Sequence, residues 1–128
     1  MPKTGIRLFR ERNGRVPLLE WLDRQPDKVT VKCMRAIIRL GDMGHELRRP
    51  EAECLGNGIY ELRVRYGHVN YRILYFFHGD DAVVISHGFA KERRVPPNEI
   101  AVALRRREQY QNDPPAHTAT LQEGGTVQ

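Results

Sequence analysis

Cysteine is scarce in this chain of 128 residues: Cys33 and Cys54 are the whole complement, and they form no C-x-x-C pair. A secreted scaffold held together by several disulfides is thereby excluded, and two reduced, partly buried thiols are expected. His45, His68, His78, His87 and His117 show no H-x-x-x-H and no zinc-like spacing to a cysteine, so no metal site is expected. Long apolar runs are also missing. The longest, Ile73 to Phe77, suits a strand and falls far short of the ~20 residues that span a bilayer, so no membrane partner is expected. Met1-Pro2-Lys3-Thr4-Gly5 lacks the apolar stretch of a secretory signal, which with the reduced thiols points to the cytoplasm. There is no Walker loop, no G-x-S-x-G elbow and no dinucleotide fingerprint, so no cofactor is expected. Internal repeats are absent as well.

What is present describes one globular domain: 40% hydrophobic and 29% charged residues over a length that one core can serve. The net charge is +5, and its placement is uneven. Residues 63–107 hold nine Lys/Arg against four Asp/Glu, a surplus equal to that of the whole chain. After Arg107 come three acids and no base. Concentrated positive charge attracts polyanions, of which nucleic acid is the commonest in cells.

Residues 6–10 read as a strand and Asn13-Gly14 as a turn. Val16 to Leu22 reads as a short helix with Pro17 in its first turn, where a missing N–H does no harm. Asp27 is expected to cap a second helix running to about Met43, with Val29, Cys33, Ala36, Ile37 and Leu40 on one face and Lys28, Lys32, Arg35 and Arg39 on a solvated one. Gly44 is a suitable stop. Residues 45–58 read as an irregular connection. Ile59–Tyr66, Asn70–Phe77 and Ala82–Phe89 then form an antiparallel meander across the short turns at Gly67-His68 and Gly79-Asp80-Asp81. The middle run is almost continuously apolar, as a strand covered on both faces should be. A last helix follows Pro96-Pro97, with Asn98 as its cap and Arg105-Arg106-Arg107 near its end. The expected fold class is α+β: a small antiparallel sheet, made of the N-terminal strand and the meander, with helices packed on one face. Residues 1–111 form the domain and 112–128 a disordered tail.

Arg72 stands out because it interrupts an apolar strand, where a charge is costly unless it is paired or faces a groove. Two readings are open: an ion pair with a carboxylate such as Glu61, or a planar fork held rigidly to grip a phosphate. Arg63 and Arg65 share a strand face by parity. Lys91, Arg93 and Arg94 follow the third strand of the meander, and together these cations could line a cleft across the sheet. Such a site could cleave RNA without a metal, the 2′-OH attacking the adjacent phosphate while fixed cations stabilise the developing charge. A base is still needed. His87 is the best-placed histidine, either for that role or as an ordinary half-buried strand residue. Phe89 and Tyr71 either stack on bases or pack in the core.

Four segments carry a resemblance: Gly58-Ile59-Tyr60-Glu61-Leu62-Arg63, Tyr71-Arg72-Ile73-Leu74-Tyr75-Phe76-Phe77, His87-Gly88-Phe89-Ala90-Lys91 and Pro96-Pro97-Asn98-Glu99-Ile100-Ala101-Val102-Ala103. With the helix from Val16-Pro17 to Trp21-Leu22-Asp23, they resemble the phage-derived, HigB-like branch of the RelE/ParE toxin superfamily over about residues 5–110. The resemblance implies a RelE-like fold and the toxin of a type II toxin–antitoxin pair. Its activity would be that of a ribosome-dependent endoribonuclease (an mRNA interferase), neutralised by a helix-turn-helix, HigA-like antitoxin encoded next door. It implies RNA-site roles for Arg63 and Arg72, and it matches Lys91 to the first lysine of the family's F-x-K-K, whose second lysine is Glu92 here. The expected catalytic residues are therefore Arg72, Lys91 and His87. Arg63, Arg65, Arg93, Arg94 and Phe89 are expected to bind RNA. Two other readings stay open: a ParE-like toxin that binds DNA gyrase without cutting RNA, and a phage or accessory domain of this fold without toxicity.

Overall fold

The computed structural model describes residues 5–90 and 94–121. The chain runs β1 (Gly5–Phe9), α1 (Pro17–Asp23), α2 (Asp27–Met43), β2 (Ala52–Gly56), β3 (Ile59–Tyr66), β4 (Val69–His78), β5 (Ala82–Ala90), α3 (Pro97–Asn112) and β6 (Thr118–Thr120). One-turn 3-10 segments occupy Gly44–Glu46 and Pro115–His117. Among the described residues, no helix is long and apolar enough to cross a membrane.

The α+β class and the meander of β3, β4 and β5 are as expected, but the sheet is larger. Its six strands lie in the order β2-β3-β4-β5-β1-β6. Residues 45–58 are no irregular connection, because β2 pairs antiparallel with β3 along the sheet edge. The turn between them is Asn57-Gly58, at φ 54° and 78°. Two successive positive φ values make a primed turn whose twist suits a two-residue hairpin, and Asn-Gly is its preferred sequence. The expected tail differs in its first part: Asn112 ends α3, Pro115–His117 forms a 3-10 turn and β6 pairs antiparallel with β1, while residues 122–128 lie outside the described residues. The sheet is not purely antiparallel either, since β1 lies parallel to β5 with Leu8 opposite Ile85.

The helices cover both faces, not one. The reason lies in β4, whose residues 73–76 are all buried and so need an apolar layer on each side. On one side α1 and α2 bring Leu18, Trp21, Val29, Cys33, Ile37 and Leu40 against Leu62, Ile73 and Ile85. On the other, α3 brings Ala103 and Tyr110 against Ile59, Leu74, Phe76 and Val84. Strand parity sorts the two sets, because alternate residues of a strand face opposite sides. Burying each large apolar side chain contributes about 1.5–3 kcal/mol. Gly88 shows how closely α1 fits: a Cβ there would stand 2.4 Å from Trp21 Cε3.

Helix ends follow local chemistry. Pro17 and Pro97 open α1 and α3 at first-turn positions. Asp27 is the first residue of α2 rather than its cap, and Asn98 likewise lies inside α3. Gly44 closes α2 at φ 55°. Cys33 is buried, which pushes its thiol up to about 11, whereas Cys54 is exposed on β2. The basic side of α2 is solvated as expected, although Arg39 gives two hydrogen bonds to Glu51 and Lys32 Nζ donates to the Arg65 carbonyl at 2.5 Å.

Candidate functional site

Register places Arg63 opposite Arg72 across β3 and β4, and Arg72 opposite Phe89 across β4 and β5. Glu61 and His87 flank Leu74 from either side. By parity these five residues share the sheet face that α3 packs on. The structure thus brings Arg63, Arg72, His87 and Phe89 onto one sheet face, with acids among them.

Glu61 is 1% exposed and holds both arginines. Arg63 Nε donates to its Oε1 at 2.6 Å, and Arg72 Nη1 donates to Oε2 at 2.8 Å and to Oε1 at 3.0 Å. Arg63 Nη2 also donates to Glu53, which pairs with Arg49 as well. Arg49, with help from Arg63, holds the Glu53 carboxyl below the usual carboxylate range. The pairing of Arg72 with Glu61 is therefore realised. It orients the guanidinium on a rigid strand, because a carboxylate accepting from two forks fixes the plane of both. Arg63 keeps 37% of its side chain exposed, against 12% for Arg72. An open cleft of about 360 Å³ lies beside them, lined by Glu51, Arg63, Arg65 and Arg72 and also by Val64 and Tyr71 of the opposite face.

His87 lies at a β-bulge, where the β4–β5 register shifts between Leu74 and Tyr75 and leaves Ser86 without a partner opposite. Its Nδ1 is 2.8 Å from Ser86 Oγ and its Nε2 is 3.1 Å from Glu99 Oε1 on α3. A carboxylate only accepts, so Nε2 carries the proton and Nδ1 accepts from the Ser86 hydroxyl. Arg106 Nη1, 3.4 Å from the same hydroxyl oxygen, completes a chain from α3 through β5 and back to α3. Burial, with Arg106 nearby, pushes the His87 pKa below its ordinary 6.5 against the opposing pull of Glu99. Folding therefore favours the neutral imidazole.

This shift has a testable sign. A histidine whose pKa is depressed by folding binds its proton more readily in the unfolded chain, so its contribution to stability is complete above about 6.5 and is lost as pH falls toward the folded value. Urea unfolding at pH 7.5 and pH 5.5 should show a larger loss on acidification in the wild type than in His87→Gln. Equal losses would mean that His87 is not desolvated.

The other expected residues are less tightly held. Arg65 shares the face of Arg63 by parity but is exposed, its Nε donating to the Gly67 carbonyl at 3.4 Å. Phe89 is partly buried, with its ring centroid 5.9 Å from that of His87. Arg94 is exposed and makes no ion pair among the described residues. Lys91 and Arg93 lie outside the described residues. Tyr71 faces the opposite side of the sheet from Arg72 and packs against the edge of Trp21, yet it also lines the cleft at Arg63 and Arg72. Glu53, Ser86, Glu99 and Arg106 were missed. The last two stand seven residues apart on one helix, a helical repeat that marks one face, and that was the available signal.

The model of the family described as phage derived protein Gp49-like (DUF891) matches residues 20–108. A comparison with curated proteins found no match. The matched stretch runs from α1 through most of α3 and holds Glu61, Arg63, Arg72, His87, Phe89 and Glu99, so this α+β chain belongs to the phage-derived Gp49-like family, a RelE/toxin-like family.

Proposed function

We propose that this chain is the toxin of a type II toxin–antitoxin pair, of the HigB-like kind, and that it cuts mRNA on the translating ribosome. The observation that carries the reading is the pair of guanidiniums facing each other across β3 and β4, fixed by one buried carboxylate at the edge of an open cleft. As the 2′-oxygen bonds to phosphorus and the P–O5′ bond breaks, the 5′-oxygen leaving with a proton from solvent, negative charge builds on the phosphoryl oxygens, and preorganised cations lower its cost. In this reading Arg72 and Lys91 meet the reacting phosphate, while Arg63, Arg65, Arg93 and Arg94 bind neighbouring phosphates. Phe89 offers its ring to a base. His87 takes the proton of the 2′-OH in the neutral form that a base requires, and its Nδ1 must exchange the Ser86 hydroxyl for that of the RNA. The partners are mRNA in the ribosome and a helix-turn-helix, HigA-like antitoxin, and the site of action is the cytoplasm.

The carboxylates of Glu53 and Glu61 favour a second reading, a domain of the same fold that no longer cuts, because they occupy donors that RNA would use. One experiment separates the two. Purified protein is added to a cell-free translation reaction, and new RNA 5′ ends are mapped with active and with stalled ribosomes. Cuts within codons, only during translation, are expected. Intact message with undisturbed translation would sink the interferase reading in favour of the second.

A further inference from the structure

A second cationic pocket shares Arg106 with the chain that runs through Ser86 to His87. It has a volume of about 450 Å³ and is lined by Glu11, Arg12, Asn13, Arg105, Arg106, Gln109 and His117. Three guanidiniums there meet one carboxylate. Arg105 is exposed and makes no hydrogen bond or ion pair among the described residues. Arg12 leans on Asp113 at 3.3 Å, a pair with both partners largely in solvent and therefore weak.

Arg106 is the unusual member. Its side chain is 14% exposed, yet each of its polar contacts is long: Ser86 O at 3.5 Å, Ser86 Oγ at 3.4 Å and Glu11 Oε1 at 3.4 Å. Good N–H···O bonds are about 2.9–3.0 Å, so this nearly buried guanidinium, set 5.5 Å from the centre of the Phe9 ring, is weakly hydrogen-bonded for its burial. Burial lowers its pKa, and Arg105 adds to that against the pull of Glu11. An anion seated in the pocket would supply what the protein groups do not.

We propose that this pocket is a phosphate subsite that takes a phosphodiester of the same RNA strand, beyond the nucleotide held at Arg63 and Arg72. Arg106 joins the two places, since it lines the pocket and reaches Ser86, the residue before His87. Glu11, Arg12, Asn13, Gln109 and His117 fall outside the matched residues 20–108, so the subsite is largely built from the flanks of this chain. The proposal rests on the RNA reading above and extends it to a longer footprint.

The test uses the double variant Arg12→Gln/Arg105→Gln, whose two positions are exposed, with circular dichroism to check the fold. Binding of a labelled single-stranded RNA of ten nucleotides is measured by fluorescence anisotropy between 50 and 200 mM salt. Losing one phosphate contact should lower the affinity about tenfold and make the slope of log K against log salt shallower by about 0.7. An unchanged affinity and slope in this variant, with weaker binding in Arg63→Gln, would overturn the subsite and leave the RNA reading standing. A wild type that binds no RNA, while inorganic phosphate shifts the Gln109 amide resonances only when Arg12 and Arg105 are present, would assign the pocket to a free phosphate ligand. That outcome would overturn both the proposal and the reading beneath it.

Discussion

Replacing Glu61 with alanine should lower the stability of the domain by about 3–5 kcal/mol, the usual loss when one partner of a buried ion pair is removed. The carboxylate is 1% exposed and anchors Arg63 and Arg72 at 2.6–3.0 Å. Without it, Arg72 stays 12% exposed beside Phe89 and loses the two hydrogen bonds it gives to this carboxylate. Arg63 suffers less, because it keeps Glu53. Glu61→Gln preserves the shape and one acceptor oxygen and should lie between the alanine variant and the wild type. Urea denaturation measures the difference as a shift in midpoint at constant slope. A loss below about 1 kcal/mol would show that the arginines do not depend on this carboxylate.

Arg72→Ala should have the opposite signature: a folded protein that does not cut. Glu61 retains Arg63 when Arg72 is removed, so the sheet loses one ion pair without stranding an acid. On the interferase reading, message cleavage should fall by at least ~10²-fold, the scale seen when one fixed donor to a developing oxyanion is deleted. Arg72→Lys should not restore it, because an ammonium cannot serve Glu61 and a phosphate oxygen in one plane. The exposed Arg65, changed to alanine, should cost far less. The same cell-free assay reads all three variants, with thermal melts alongside. Undiminished cutting by Arg72→Ala would remove this residue from the chemistry.

Much of the fold was legible where periodicity is local. The α2 face of Val29, Cys33, Ile37 and Leu40 and the alternation in β3 needed no tertiary knowledge. Gly44 and Pro17 marked their helix ends. The parts that escaped depend on partners distant in the chain. β6 is three residues, Thr118–Thr120, with too little pattern to announce a strand, and β1 shows nothing locally of its parallel pairing. β2 was within reach, since Asn57-Gly58 is a strong hairpin signal and a strand must precede it. The site divides in the same way. Parity put Arg63 and Arg65 on one face, and the cost of burying Arg72 pointed to Glu61. Glu53 and Glu99 enter through β2 and α3, whose positions only the assembled sheet defines.

The placement of β1 also orders events in time. Hairpins such as β3–β4 close within microseconds of their residues being available. Leu8, made early, finds Ile85 only after residues 9–84 have been synthesised, and β6 adds to the far side of β1 later still. The parallel pair of β1 and β5 thus closes a long loop that contains the whole β3–β4–β5 meander, so it forms later than the local hairpins it borders.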